Sequence, residues 1–162
     1  MVRIRIERAD QPEAIALIDE LDAYQKPLYP AESHHGIDVG SLMQPNVVFA
    51  VARTAEGEVV GCGAFVAEDG SWAELKRMFV SAARRGRGIA QAMLAFLEGE
   101  AMHRGVAVMR LETGNLQPEA LRFYERAGYV RRGPFGGYDD DPHSIFMEKA
   151  LVLKMRGEEA SA

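Results

Sequence analysis

The sequence predicts an α+β (α/β) fold, a central and mostly antiparallel sheet flanked by helices. Three observations carry this. Runs with a period of two or rich in β-formers recur along the chain, at 2–6, 46–53, 58–67, 72–80, 106–113 and 144–153. Three of these runs follow one another across short turns, which makes them antiparallel neighbours. Stretches of helical period stand between the others, two of them closed by glycine.

Val2, Ile4 and Ile6 alternate with Arg3, Arg5 and Glu7 and read as a half-buried strand near a sheet edge. Asp10 followed by Glu13 resembles a capping box, with Pro12 in the first turn. Ala14, Leu17, Ile18, Leu21 and Tyr24 then share one face of a helix from Gln11 to Tyr24. Gln25 to Pro45 is a stretch of loops and short helical turns containing the pair His34-His35, and it could shape a substrate pocket. Asn46 to Arg53 and Glu58 to Ala67 form a hairpin across Thr54-Ala55-Glu56-Gly57, and a turn at Asp69-Gly70 leads into a strand from Trp72 to Val80. Ile89, Met93, Leu94, Leu97 and Ala101 mark a long helix that stops at Arg104-Gly105. A strand over Val106 to Thr113, a helix over Pro118 to Ala127 closed by Gly128, and a last strand over Ser144 to Leu153 complete the series. The tail from Gly157 reads as frayed, and the whole of 1–162 as one domain without repeats or linkers.

Composition narrows the function. A net charge of −5 argues against nucleic acid as a partner, since duplex binding needs a basic surface. Cys62 is the only cysteine, so a disulfide framework and a cysteine metal cluster are excluded; between two glycines in an apolar stretch it reads as core. No apolar run approaches membrane-spanning length and the start offers no export signal, so a cytoplasmic protein is expected, with no membrane partner. His34, His35 and His143 lack ligand spacing with any carboxylate set and read as loop or pocket-rim residues, so no metal is expected. Trp72 and Phe96 read as core.

The chemistry concentrates where the strand ending at Val80 meets the long helix. Arg84-Arg85-Gly86-Arg87-Gly88 precedes the helix, which puts unpaired N–H groups and the positive end of a helix dipole at one point. Glycines let a diphosphate approach the backbone and the arginines add positive charge, so phosphate is the natural guest; a relaxed turn with solvated arginines is the plain alternative. Ile89-Ala90 after Gly88 excludes a Walker loop, which needs Lys-Ser/Thr. A dinucleotide site would need Gly or Ala at Gln91 and a parallel strand-helix-strand context; only Glu112, as a ribose ligand, speaks for it.

Arg85-Gly86-Arg87-Gly88-Ile89-Ala90 matches the Q/R-x-x-G-x-G/A signature of the GNAT superfamily of N-acetyltransferases, in the strand-loop-helix position that family requires. Leu121-Arg122-Phe123-Tyr124-Glu125-Arg126-Ala127-Gly128-Tyr129 resembles the family's late helix, in which a tyrosine precedes a Gly-aromatic turn. The resemblance runs from about Asn46 to the last strand. It implies a GNAT-like acyl-CoA acyltransferase fold, a central mixed, mostly antiparallel sheet of about seven strands flanked by about four helices, with acetyl-CoA as co-substrate and transfer of acetyl to an amine acceptor, small molecule or protein. Backbone groups of Met78, Phe79 and Val80 would hold the pantetheine arm, and those of the segment Gly86, Arg87, Gly88, Ile89, Ala90 and Gln91 the pyrophosphate. Asn115 and Gln117 are further candidate cofactor contacts, Gln117 standing where many members carry Asn. Tyr124 would protonate the departing thiolate. An ammonium must lose a proton before it attacks, so a base is required. Glu74, preferred, and Glu112 stand on strands where members place theirs; either could instead pair with Lys76, Arg77 or Arg110. Asp139-Asp140-Asp141 could draw in a cationic acceptor, or form a solvated turn. Relatives often pair as homodimers. A non-catalytic acyl-CoA sensor or interaction module stands as the alternative function.

Overall fold

The computed structural model describes residues 1–68 and 71–152. Seven strands form one sheet: β1 (Val2–Ile6), β2 (Val47–Thr54), β3 (Val59–Ala67), β4 (Trp72–Val80), β5 (Val108–Gly114), β6 (Val130–Arg132) and β7 (Ser144–Ala150), in the order β1-β2-β3-β4-β5-β7-β6. Four α-helices accompany them: α1 (Pro12–Gln25), α2 (Val39–Leu42), α3 (Ile89–His103) and α4 (Pro118–Arg126). Among the described residues only β4 and β5 pair in parallel, and the mixed, mostly antiparallel sheet and the edge position of β1 are as expected.

The sheet is covered on both faces, which is why β2 and β3 read as nearly continuous apolar runs. Val48, Ala50 and Ala52 point to a core built on Met93, Leu94, Leu97 and Ala101 of α3. Phe49 and Val51 point to the other core, with Leu17, Ile18 and Leu21 of α1, Leu42 of α2 and Cys62. Phe96 is half-buried against the first core. A buried tie adds to the packing of α3: Glu98 accepts from the Tyr129 hydroxyl at 2.8 Å and pairs with Lys149 at 2.9 Å.

Several local expectations are corrected. No capping box opens α1: its N-cap is Gln11 without a side-chain cap, because Asp10 is held by Arg8 at 2.8 Å and Glu13 by Arg53 at 3.1 Å. β5 begins at Val108, since the Val106 N–H closes α3 on the Ala101 carbonyl and the Ala107 N–H goes to Ser71. β6 is a further strand, three residues long and too short to carry a period. The Asp69-Gly70 turn, the last residue of the expected strand to Leu153 and the tail from Gly157 lie outside the described residues.

Two features of β4 make the site. Its pairing with β5 is registered from Trp72↔Val108 to Glu74↔Arg110; beyond that β4 stays with β3 and β5 with β7. The two strands therefore part, leaving a gap between Leu75–Val80 and Leu111–Gly114. Within that stretch the register jumps from Ala64↔Lys76 to Cys62↔Phe79, so Arg77 and Met78 together face Gly63 in a bulge. Arg77 sits at φ 57°, unusual for a residue with a Cβ. Its side chain is fastened by Asp22 at 2.6 Å and by the Ile37 carbonyl at 3.0 Å. Gly63 is needed here for space: a Cβ would lie 2.7 Å from Met78 Sδ and 2.8 Å from Leu97 Cδ1. Gly63→Ala is expected to cost roughly 1–3 kcal/mol as an overpacked core, read as a lower urea midpoint at unchanged m-value. An unchanged midpoint would mean that Met78 and Leu97 yield freely.

Candidate active site

Two cavities occupy the gap between β4 and β5, and a third adjoins them. The largest, about 720 Å³, is lined by Met78, Phe79 and Val80, by the loop residues Arg84, Arg85, Gly86 and Gly88, by Ile89, Ala90 and Gln91 at the start of α3, and by Phe123 and Tyr124 of α4. A smaller pocket of about 300 Å³ lies between Leu75–Met78 and Leu111–Gly114 and is closed by Tyr29, His34, His35 and His143. Both cavities are bounded by Leu21, Gln25, Met78, Gln117, Ala120 and Tyr124, so this is where they meet. An open groove of about 700 Å³, carrying Glu32, Glu74, Tyr138 and the run Asp139–Asp141, adjoins the pocket through Ser33, His35, Gly36 and His143.

The large cleft is built to receive an anion. The helix ladder of α3 starts with the Ala92 N–H on the Gly88 carbonyl at 3.0 Å, and no described residue accepts from the N–H groups of Ile89, Ala90 or Gln91. Gly88 is the N-cap, left-handed at φ 76° and without a side chain to satisfy those donors. A Cβ at Gly86 or Gly88 would meet nothing within 4 Å, so their need is conformational and the space before the donors is free. The donor set and the adjoining apolar wall of Phe79, Ile89 and Phe123 fit a diphosphate followed by a long thin chain. Arg85 reaches back along this wall: its Nε donates to the Val80 carbonyl at 3.2 Å and its guanidinium stacks over Phe79 at 5.2 Å.

At the junction, Tyr124 is 8% exposed and packs edge-to-face on Phe123 and Tyr129. Its hydroxyl has no hydrogen-bond partner among the described residues, and burial pushes the phenol above its ordinary pKa. Across the small pocket stands Glu112, with Ser144 Oγ donating to its Oε2 at 2.7 Å. Burial raises its carboxyl above the usual range, opposed by the Ser144 hydrogen bond and by nearby His35 and Lys76. Glu74 is differently employed. It is buried, accepts a hydrogen bond from the Tyr138 hydroxyl, pairs with Lys76 Nζ at 3.0 Å, and lines the groove, not the pocket that Tyr124 shares. Tyr29 fixes the wall between pocket and cleft, receiving the Leu116 N–H and donating to Gln117 Oε1, each at 3.2 Å. It lies flat against Gly114, where a Cβ would overlap its hydroxyl.

The profile of the Acetyltransferase (GNAT) family matches residues 10–129. The chain belongs to this family. This GNAT acetyltransferase is 44% identical over 151 residues to the IAA acetyltransferase of Azospirillum brasilense, covering 93% of this chain and 98% of that protein. It is 32% identical over 152 residues to the uncharacterized N-acetyltransferase YsnE of Bacillus subtilis (strain 168), covering 93% and 100%. A crystal structure from Klebsiella pneumoniae, provisionally assigned as an acyl-CoA N-acyltransferase, superposes with a TM-score of 0.83 at 37% identity over 94% of this chain and 99% of that one. A solved aminoglycoside 6′-N-acetyltransferase complexed with coenzyme A shares the fold, with a TM-score of 0.73 at 20% identity over 94% and 99% of the two chains. The enzyme is thus an acyltransferase with the GNAT fold.

Most of the residues singled out from the sequence gather around one cleft: Met78, Phe79, Val80, Arg85, Gly86, Gly88, Ile89, Ala90, Gln91, Gln117 and Tyr124 all line it. Arg87 and Asn115 do not. Arg87 is exposed outside the cleft lining, and exposed Asn115 spends its N–H on the His143 carbonyl at 2.9 Å. Tyr29, Lys76 and Tyr138 were not legible as site residues, because only the meeting of α1's exit, β4 and the β7 approach brings them to the pocket or its hydrogen-bond network. Among the described residues no group of three or more His, Cys, Asp or Glu could hold a metal ion, and no helix is long and apolar enough to cross a membrane.

Proposed function

We propose that this enzyme, acting as one domain in the cytoplasm, moves the acetyl group of acetyl-CoA directly to the primary amine of a small molecule. The observation that carries the reading is the unpartnered Tyr124 hydroxyl at the one place where the anion-receiving cleft and the small pocket meet. Bound acetyl-CoA would supply an acyl group activated as a thioester. The N–H groups of Ile89, Ala90 and Gln91 would hold its diphosphate, and the edge of β4 that has no β5 partner beyond Glu74 would offer its backbone to the pantetheine arm. Glu112 takes the proton from the acceptor's ammonium and exposes the lone pair, Tyr124 gives its proton to the leaving sulfur, and the second proton that the nitrogen loses as the amide forms restores the Tyr124 hydroxyl. Glu112 is chosen over Glu74 because Glu112 shares the pocket with Tyr124, whereas Glu74 is committed to Lys76 and Tyr138. A pocket of about 300 Å³ suits a small acceptor better than a protein segment.

The test is CoA release against a panel of primary amines, together with the IAA of the Azospirillum brasilense relative's name. Saturable turnover with an amine supports the reading; turnover with IAA alone, or none at all, overturns it. Acetyl-CoA is expected to raise the melting midpoint in a saturable way, by about 2.7 kcal/mol of stabilisation at a hundredfold excess over its Kd, while NAD leaves it unmoved. A midpoint indifferent to acetyl-CoA would remove the cleft's assignment.

A further inference from the structure

Glu112 takes up a proton in a confined pocket, and the proton must leave before the next turnover. The pocket has one set of walls in common with the open groove, and His35 is the titratable side chain in that set built into a partnership: its Nε2 lies 3.4 Å from Asp141 Oδ2. Asp141 is itself fixed by Ser33 Oγ at 2.6 Å and the His143 N–H at 2.8 Å, contacts that keep its carboxyl ionised by holding it below the usual carboxylate range. A carboxylate facing Nε2 sets the proton there and leaves Nδ1 with a lone pair, and no hydrogen bond joins His35 Nδ1 to a described residue. The ring is held edge-to-face on Tyr138 at 5.2 Å, and Lys76 donates to the His35 carbonyl at 3.0 Å. The charged and titratable groups around it are Glu74 and Lys76 from β4, Glu112 from β5, and Tyr138, Asp141 and His143 from the segment leading to β7.

Resting on the amine-acetylation reading above, we infer that His35, oriented by Asp141, is the exit for the acceptor's proton. The ammonium N–H bond breaks as a Glu112 O–H bond forms. That bond breaks in turn as His35 Nδ1 receives the proton through solvent in the pocket, and the imidazolium, facing the Asp141 carboxylate, releases it to water in the groove. One proton leaves per acetyl transferred, and Glu112 and His35 return to their starting states. His35 and Asp141 are positioning and carrying groups in this scheme and touch neither acetyl group nor sulfur.

The experiment follows repeated turnover and single turnovers of the wild type and of His35→Ala, Asp141→Asn and the double variant on one accepted amine, with and without added imidazole. His35→Ala is expected to lower steady-state kcat by on the order of 10²-fold, with the midpoint of unfolding and the acetyl-CoA Kd retained. Added imidazole should restore at least a tenfold part of that loss in a saturable manner, which a structural role for the side chain would not produce. Asp141→Asn should lower kcat by roughly tenfold in the wild-type background and by nothing further in the His35→Ala background. Full kcat in His35→Ala, or a loss that imidazole leaves untouched, overturns the relay while the acetylation reading stands. A wild type without turnover on any amine overturns both. Should His35→Ala fail to fold, His35→Gln takes its place with the same Asp141 cycle as the readout.

Discussion

Replacing Tyr124 by phenylalanine is expected to lower kcat by on the order of 10²-fold while the acetyl-CoA Kd stays within a factor of about two. The ring and its packing on Phe123 and Tyr129 survive the change, so the cleft keeps its wall. What disappears is one hydroxyl that makes no hydrogen bond to the described residues and so contributes little to holding the fold. The ring is packed away from water while the hydroxyl stands at the cavity walls without a hydrogen bond to the described residues. Such a group is explained by a partner that arrives with the substrates. A leaving-group acid acts where charge develops on the sulfur, which is why the loss falls on kcat and not on ground-state binding. The measurement is single-turnover acetyl transfer together with acetyl-CoA titration. Unchanged single-turnover rates would remove Tyr124 from the chemistry; a loss confined to acetyl-CoA affinity would make it a binding residue.

The sheet was legible because most of its strands are long enough to show a pattern and its turns carry glycine. β2 and β3 are buried on both faces, so they appear as apolar runs, and α3 shows its core face as Ile89, Met93, Leu94, Leu97 and Ala101. β6 was not legible, since Val130 is largely exposed and three residues cannot establish a period. The opening of α1 failed for an electrostatic reason: an Asp two residues after Arg8 found a full guanidinium partner nearer than the helix N–H groups.

The site divides the same way. Its anion-receiving half is local, a single loop and helix start, so its residues could be read in one line of sequence. The acceptor half is assembled from His34 and His35, the parted ends of β4 and β5, and His143, which stand more than a hundred residues apart at the extremes. Nothing in a short window marks them as neighbours. The parting of β4 from β5 and the left-handed Arg77 are likewise tertiary facts, since the bulge is held by Asp22 from α1 and needs Gly36 and Gly63 to leave room.

Glu112→Gln should have two opposite effects, and their combination identifies the base. Turnover should fall by on the order of 10²–10⁴-fold, the range for losing a positioned acid–base group, because an amide cannot take the ammonium proton. Stability at neutral pH should rise. Burial places the folded-state pKa of Glu112 above the ordinary value, so its contribution to stability is complete below the unfolded pKa and is lost as pH climbs through the raised folded value. The ionised carboxylate is half-buried with a single hydroxyl donor among the described residues, Ser144, and glutamine removes that charge while keeping the shape. Well below the unfolded pKa, at about pH 3, the carboxyl is neutral in both states and the midpoints of the two proteins should coincide. The same raised pKa sets the acid limb of the wild-type activity profile above the usual carboxylate range, and that limb should vanish from the residual activity of the variant. Glu74→Gln is the counterpart. It strips Lys76 and Tyr138 of their carboxylate, so it should lower stability at pH 7, and a stable Glu74→Gln protein should keep most of its kcat. The reverse pattern, with Glu112→Gln active and Glu74→Gln folded but inert, would transfer the role of base to Glu74 and move the reacting amine toward the groove.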